Sequence, residues 1–130
     1  MLEIIEMYVA SVLVMMGLDG LWLGFIVKNF NLKHLGFLLA PAVTWWPIIL
    51  FYPIYAIGVV VFVLIPSIEA KSLTMAITRG ALLGLVSYAA YDLTNNATLP
   101  NWPALITLTD ISWGIVCTAL TASIVYLIFK

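Results

Sequence analysis

The sequence contains very little charge. Only 8% of its 130 residues are Asp, Glu, Lys or Arg, whereas 65% are hydrophobic and the mean hydropathy is +1.17. Soluble domains carry about 25% charged residues, and a chain of this length cannot hide so much apolar surface from water. The composition therefore predicts an integral membrane protein whose solvent is the lipid bilayer. The formal net charge of −1 gives no reason to expect a nucleic-acid partner.

Cysteine and histidine are equally scarce, with one residue of each, Cys117 and His34. A single cysteine cannot form an internal disulfide, and one Cys with one His cannot build a zinc cluster or a His-ligated haem pair. No Ser-His nucleophile pair can be assembled inside the membrane. The sequence therefore leaves the cofactor unknown and argues against an enzyme. An intramembrane enzyme that uses paired carboxylates stays open as an alternative.

Long apolar stretches are abundant, and four of them are long enough to cross a bilayer. A helix needs about 20 apolar residues to span roughly 30 Å of hydrocarbon. We predict an all-α membrane protein, a four-transmembrane-helix bundle in a single domain over residues 1–130. The predicted spans cover about residues 4–27, 44–65, 73–93 and 104–129.

Prolines divide the long uncharged segment between residues 35 and 68. Pro41 is expected to end a short interfacial stretch, and Pro47 suits the first turn of the second span. Pro66 is expected to stop that span. Pro53 lies inside it, so this helix should kink.

The basic residues bear on orientation. If the side of the N-terminus is called side A and the other side B, side A receives Lys71, Arg79 and Lys130, whereas side B receives Lys28 and Lys33. Cytoplasmic loops carry an excess of Lys and Arg. The small surplus therefore favours a cytoplasmic N-terminus.

Two even-numbered spans open in the same way. Trp-Pro pairs begin at Trp46 and Trp102, and a glycine follows twelve residues after each Trp. This spacing is typical of two repeated helical hairpins related by an axis along the membrane normal. The other interpretation is that Trp-Pro is simply a good interfacial start for a helix, and both stay open.

Small residues predict where helices approach closely. GxxxG motifs occur at residues 20–24 and 80–84, and such motifs let the backbones of two membrane helices come together. Gly114, Cys117 and Thr121 share one stripe of the fourth span, which is expected to face inward.

Five charged residues fall inside the predicted spans, although each costs about 2.5–3.5 kcal/mol on insertion scales. They are Glu6, Asp19, Arg79, Asp92 and Asp110. Glu6 and Arg79 both lie one to two turns inside side A, which predicts a salt bridge or a pair of side chains that snorkel to the interface, in either case with a structural role. The alternation of the spans brings the three aspartates together in the side-B half of the membrane.

Aromatic and amide residues surround the three acids and complete a candidate pocket. The predicted ligand-binding residues are Asp19, Trp22, Tyr52, Tyr55, Tyr88, Tyr91, Asp92, Asn95, Asp110 and Trp113. Neighbouring carboxylates in a low dielectric repel, so at least one should hold a proton near neutral pH. Such a group binds a cation, relays protons or donates to a polar headgroup. The alternative is that the acids only bridge helices, which is the role expected for Asp92 because a helix end reaches water.

Five short segments carry a resemblance to a known family. They are Leu18-Asp19-x-x-Trp22-Leu23-Gly24, Phe51-Tyr52-x-x-Tyr55-Ala56-Ile57-Gly58, Gly80-Ala81-Leu82-Leu83-Gly84, Tyr91-Asp92-Leu93-Thr94-Asn95 and Asp110-Ile111-x-Trp113-Gly114. Together they resemble the bacterial predicted membrane proteins of the domain-of-unknown-function 2177 type, over nearly the whole chain. The resemblance implies four helices in a bacterial inner membrane. It implies no established activity, so no catalytic residue is carried over.

Two hypotheses for function follow from these observations. The first is a module that binds or transports a small polar or cationic ligand, or a lipid headgroup, in the side-B pocket. The alternative is a non-catalytic subunit or assembly factor of a larger membrane complex, with a membrane protein partner or a second copy of the chain. Both hypotheses place the chain in the lipid bilayer.

Overall fold

The computed structural model describes residues 1–39 and 42–130, and these residues form helices and connecting turns with no strand. Within these ranges, four helices are long and apolar enough to cross a membrane: Leu2–Ile26, Trp45–Glu69, Leu73–Thr98 and Ala104–Phe129. They are called the first to fourth spans below. The predicted all-α bundle of four transmembrane helices is confirmed.

The ends of two spans differ from the prediction. The third span continues to Thr98 and the second continues through Pro66 to Glu69. Pro66 is tolerated because it lies in the first turn of a new α-helical segment, Ile65–Glu69, that follows a π-helical segment. The helix also continues through Pro53.

The connection between the first and second spans contains a helix that was not predicted. Lys28–Leu35 forms two turns after a π-helical end of the first span, Trp22–Ile26. The predicted stop at Pro41 lies outside the described residues.

A backbone carbonyl of the second span explains where Arg79 points. Pro66 has no N–H to offer the carbonyl of Phe62, four residues back. The Nη1 atom of Arg79 donates to that carbonyl at 3.3 Å. An unsatisfied backbone group in hydrocarbon costs several kcal/mol, so the guanidinium stabilises the helix here. The predicted salt bridge with Glu6 is wrong: among the described residues, Arg79 makes this backbone contact and no ion pair with the exposed Glu6.

The four spans alternate in direction. Glu3 from the start of the chain, Lys71 from the turn after the second span and Lys130 from the end of the fourth line one surface cavity. These residues mark side A. The core of the side-A half is apolar and is formed by Met7, Met15, Val59, Val60, Val63, Leu64, Ala76, Ala122, Val125 and Tyr126.

The third and fourth spans pack backbone to backbone. A Cβ atom added at Gly84 would overlap the carbonyl of Gly114, and one added at Gly80 would lie 3.0 Å from the Cα of Ala119. The predicted close approach at residues 80–84 is therefore present, and the inward stripe of the fourth span is buried as expected.

The corresponding motif of the first span behaves differently. A Cβ atom added at Gly20 or Gly24 would meet no atom within 4 Å. The close contact predicted for residues 20–24 is thus absent from the described part of the chain. The two hairpins do not pack equivalently, and the internal repeat stays a prediction.

Candidate functional site

A cavity of about 280 Å³ lies in the side-B half, where all four spans meet the short helix Lys28–Leu35. Its lining residues are Asp19, Trp22, Leu23, Asn31, Leu35, Phe51, Tyr52, Tyr88, Tyr91, Asp110 and Trp113. It is called the side-B cavity below. Two carboxyl groups and six aromatic side chains form most of its lining.

Among the described residues that line the cavity, Asp19 makes the most side-chain hydrogen bonds. The Tyr52 hydroxyl donates to its Oδ2 at 2.6 Å, and the Trp113 Nε1 donates to its Oδ1 at 2.8 Å. The Cys117 thiol adds a weak donor at 3.8 Å. Hydrogen bonds to a carboxylate are among the stronger ones in proteins because the acceptor is charged. Asp19 therefore joins the first span to the second and the fourth.

Two indoles form the wall beside Asp19. The rings of Trp22 and Trp113 are stacked, with centroids 4.5 Å apart and planes only 2° from parallel. Trp22 begins the π-helical turn that ends the first span. Such turns add a residue to the helical circuit and re-aim side chains, which is why they are frequent at functional sites. The spacing of three residues between Asp19 and Trp22 keeps both on the cavity face.

Asp110 and Asp92 form the second acidic element. Asp110 is half-buried and lines the cavity, and the carboxyl group of Asp92 lies beside it, within reach of a side-chain hydrogen bond. Asp92 is 0% exposed, and neither of its carboxyl oxygens has a hydrogen-bond partner among the described residues.

The burial of Asp92 removes the reason given for its expected bridging role, and the role itself stays a prediction. The third span runs on for one and a half turns beyond Asp92, so the residue does not reach water as a helix end would. The turn beyond it is held to the fourth span by the Thr107 hydroxyl, which donates to the Asn96 Oδ1 at 3.0 Å and accepts from the Trp102 Nε1 at 3.1 Å. Asp19 accepts hydrogen bonds from two other spans, whereas the carboxyl oxygens of Asp92 have no donor among the described residues.

Seven of the ten predicted site residues line the side-B cavity: Asp19, Trp22, Tyr52, Tyr88, Tyr91, Asp110 and Trp113. Tyr55 lines a neighbouring cavity of about 330 Å³, where its hydroxyl is hydrogen bonded to the Thr118 hydroxyl at 2.8 Å. Asp92 is buried beside Asp110. Asn95 is half-buried on the third span and is not among the lining residues of either cavity.

Four lining residues were not predicted. Leu23 and Phe51 are sequence neighbours of predicted residues, so their position beside the cavity follows from the position of those neighbours. Asn31 and Leu35 come from the unpredicted short helix and are four residues apart, which places them on one face. That spacing was the available signal, although the polar residues around it are typical of a loop.

The described residues offer little for a resident metal. They contain no group of three or more His, Cys, Asp and Glu side chains placed to hold one ion. Among the described residues that line the side-B cavity there is also no Lys, Arg or His. The cavity is thus acidic and aromatic, with no basic side chain in its described wall.

Comparison with known families gives a match over nearly the whole chain. The profile of the family described as "Predicted membrane protein (DUF2177)" matches residues 4–127. The chain belongs to this family. The resemblance seen in the sequence is confirmed, and the match supports a membrane protein while naming no activity. No curated protein and no solved structure shows significant similarity to the chain.

Proposed function

We propose that the chain binds a small organic cation in the side-B cavity. The observation that carries this proposal is the position of Asp110, whose carboxyl group faces an aromatic cavity with no basic side chain in its described wall. A carboxylate in a low dielectric attracts a cation much more strongly than it would in water. A charged ammonium is the natural complement of such a site.

Asp19 belongs to the wall of the site and is not its open binding group. Both of its oxygens already accept hydrogen bonds, from Tyr52 and Trp113. Asp110 is therefore the carboxyl group that faces the ligand.

The aromatic wall favours an ammonium over a hydrated metal ion. Trp22, Tyr52, Tyr88, Tyr91 and Trp113 surround the space. A cation over an aromatic face gains about 0.5–2 kcal/mol, and more when it has lost its water. Cages of this kind are the usual sites for quaternary and primary ammonium groups.

The sizes of the two cavities suggest the shape of the ligand. The side-B cavity, at about 280 Å³, lies near the small end of ligand pockets, which range over roughly 300–1,000 Å³. The neighbouring cavity of about 330 Å³ shares Phe51, Tyr88 and Tyr91 with it and is bounded by further aromatic and small side chains. A ligand with an ammonium group and an apolar part fits both, whether it is a free amine or the headgroup of an aminolipid.

Calorimetric titration with benzyltrimethylammonium tests the proposal on the purified protein in detergent. Its charge is permanent, so the probe itself does not titrate. We expect binding by the wild-type chain and at least a tenfold loss with Asp110→Asn, since removing a charge partner at such a site costs about 1.4 kcal/mol or more. Benzyl alcohol, which lacks the charge, should bind much more weakly.

Glu3→Gln is the matched control because it also removes one carboxylate, from the exposed side-A end. Equal affinities of the wild type, Asp110→Asn and Glu3→Gln would contradict the proposal. Repeating the titration in nanodiscs distinguishes a free amine from the headgroup of an aminolipid as the ligand. Competition by phosphatidylethanolamine, but not by phosphatidylglycerol, would identify the headgroup ammonium as the occupant.

A subunit role in a larger membrane complex is the second candidate. The observation that favours it is the glycine face of the first span, where Gly17, Gly20 and Gly24 are exposed and have no atom within 4 Å of an added Cβ. Small residues at such spacing let a helix of a partner protein approach closely. Co-purification of a partner at fixed stoichiometry, lost with Gly20→Leu, would support this role. A monodisperse lone chain in mild detergent would count against it.

A further inference from the structure

Asp92 is the least satisfied polar group in the described residues. Its side chain is 0% exposed, and both carboxyl oxygens lack a hydrogen-bond partner there. A buried, ionised and unpaired carboxylate would be strongly destabilising. Among the described residues, the carboxyl group of Asp110 is the neighbour that can hydrogen bond to it, across the interface between the third and fourth spans.

Two ionised carboxylates cannot bond to each other, since each can only accept. One proton between them turns one group into a donor and gives a short, charge-assisted hydrogen bond. A metal ion fits the pair less well. The described residues supply no third acid, Cys or His at this point, whereas calcium takes about 6–8 oxygen ligands.

We propose that Asp92 and Asp110 hold one proton between them, and that the binding of an organic cation in the side-B cavity releases this proton. The cation half of the inference rests on the proposed function above. The proton half rests on the burial of Asp92 and on its neighbour. Asp92 acts here as a positioning residue, because it reaches the ligand only through Asp110.

The exchange keeps the charge of the pair and its ligand constant. Before binding, one carboxylate and one carboxylic acid carry a net charge of −1. When a monovalent cation settles beside Asp110, the O–H bond breaks, the proton leaves through the cavity to water, and two carboxylates with one cation again carry −1. The low dielectric favours this balance because each uncompensated charge in the membrane is costly.

Other titratable groups face the same cavity and must be considered. They are Asp19 from the first span, Tyr52 from the second, and Tyr88 and Tyr91 from the third, while the short helix presents Asn31 and Leu35. Both oxygens of Asp19 already accept hydrogen bonds, from Tyr52 and Trp113. The released proton is therefore assigned to the pair on the third and fourth spans.

The sign of the pH dependence follows from linkage. Because the cation and the proton compete, the apparent Kd for the cation falls as the pH rises through the titration of the pair. One exchanged proton gives at most a tenfold change in Kd per pH unit. The Asp92→Asn variant has no pair that can share a proton. Its Kd for the cation should therefore stay constant over the pH range in which the wild-type pair titrates, whatever its absolute affinity.

The first experiment needs no ligand. Infrared difference spectra of the wild-type protein, recorded over about pH 5 to 9, should show the carbonyl band of a buried carboxylic acid that Asp92→Asn removes. Glu3→Gln, with its exposed side-A carboxyl, should keep the band. Absence of the band from the wild type across that range would overturn the shared proton.

The second experiment measures proton release on addition of benzyltrimethylammonium to weakly buffered protein. We expect up to one proton per bound cation from the wild type and none from Asp92→Asn. Binding without release at any pH in the range would overturn the coupling. Failure of the probe to bind, with the infrared band intact, would overturn the proposed function and the coupling, while the shared proton would stand.

Discussion

The indole of Trp113 donates a hydrogen bond to Asp19 at 2.8 Å, although 94 positions separate the two residues in the chain. Tyr52 reaches the same carboxylate from the second span. Three spans are therefore joined at a single charged group in the side-B half. The side-A half has no equivalent among the described residues, since the contact of the Arg79 guanidinium with the Phe62 carbonyl joins only two spans.

The Asp19–Trp113 bond should be measurable as a coupling energy. We expect a double-mutant cycle of Asp19→Asn and Trp113→Phe to give about 1–2 kcal/mol, because the acceptor is charged but hydrogen bonds between membrane helices are modest on average. Unfolding by SDS in mixed micelles provides the free energies. Trp45→Phe serves as the control because Trp45 is 64% exposed. Strict additivity of the two substitutions would show that the bond contributes nothing to stability.

Glycine positions should respond very differently to the same substitution. Gly84→Ala would place a Cβ against the carbonyl of Gly114, so the third and fourth spans must separate and the protein should lose several kcal/mol of stability. Gly24→Ala meets no atom within 4 Å and should change stability by less than about 1 kcal/mol. The same SDS unfolding assay compares them. Equal losses at both positions would contradict the packing described here.

Arg79 should act through the backbone of the second span and independently of Glu6. Arg79→Met removes the donor to the Phe62 carbonyl and is expected to destabilise by about 1–3 kcal/mol. A double-mutant cycle with Glu6→Gln should show coupling close to zero. Coupling of about 1 kcal/mol or more would restore the salt bridge that the sequence suggested.

Much of the fold could be predicted because hydropathy alone identifies helices of this length. The convergence of Asp19 and Asp110 also followed from the alternation of the spans. The burial of Asp92 did not, since the polar run Thr94-Asn95-Asn96 is typical of a loop. That run stays helical because the Asn96 side chain bonds to Thr107 on the next span, a long-range contact that no local pattern reveals.

The partners of the charged groups could not be predicted from the sequence, for a related reason. The depth of Arg79 and Glu6 in the membrane suggested that they meet, because both need a partner there. The guanidinium instead donates to the Phe62 carbonyl, which cannot accept from Pro66, a residue in the first turn of the segment that follows a π-helical turn. A π turn has no reliable sequence signature, so this arrangement appears only in three dimensions.

The orientation of the chain stays a prediction that labelling can test. Three basic residues on side A against two on side B favour a cytoplasmic N-terminus. Cysteines placed at Glu69 and Thr98, which are exposed at opposite ends of the bundle, should then be labelled by an impermeant maleimide from the inside and the outside respectively. The native Cys117 is only 2% exposed and should give little background. The reverse labelling pattern would invert the topology.

The position of a bound cation tests the central claim most directly. Crystals of the protein soaked with 4-bromobenzyltrimethylammonium should give an anomalous bromine peak in the apolar cavity beside Phe51 and Tyr88, with the ammonium group in the side-B cavity facing Asp110. Crystals of Asp110→Asn should lose that peak. A peak at any other place in the wild type, or an empty side-B cavity at a probe concentration that saturates binding in solution, would contradict the account.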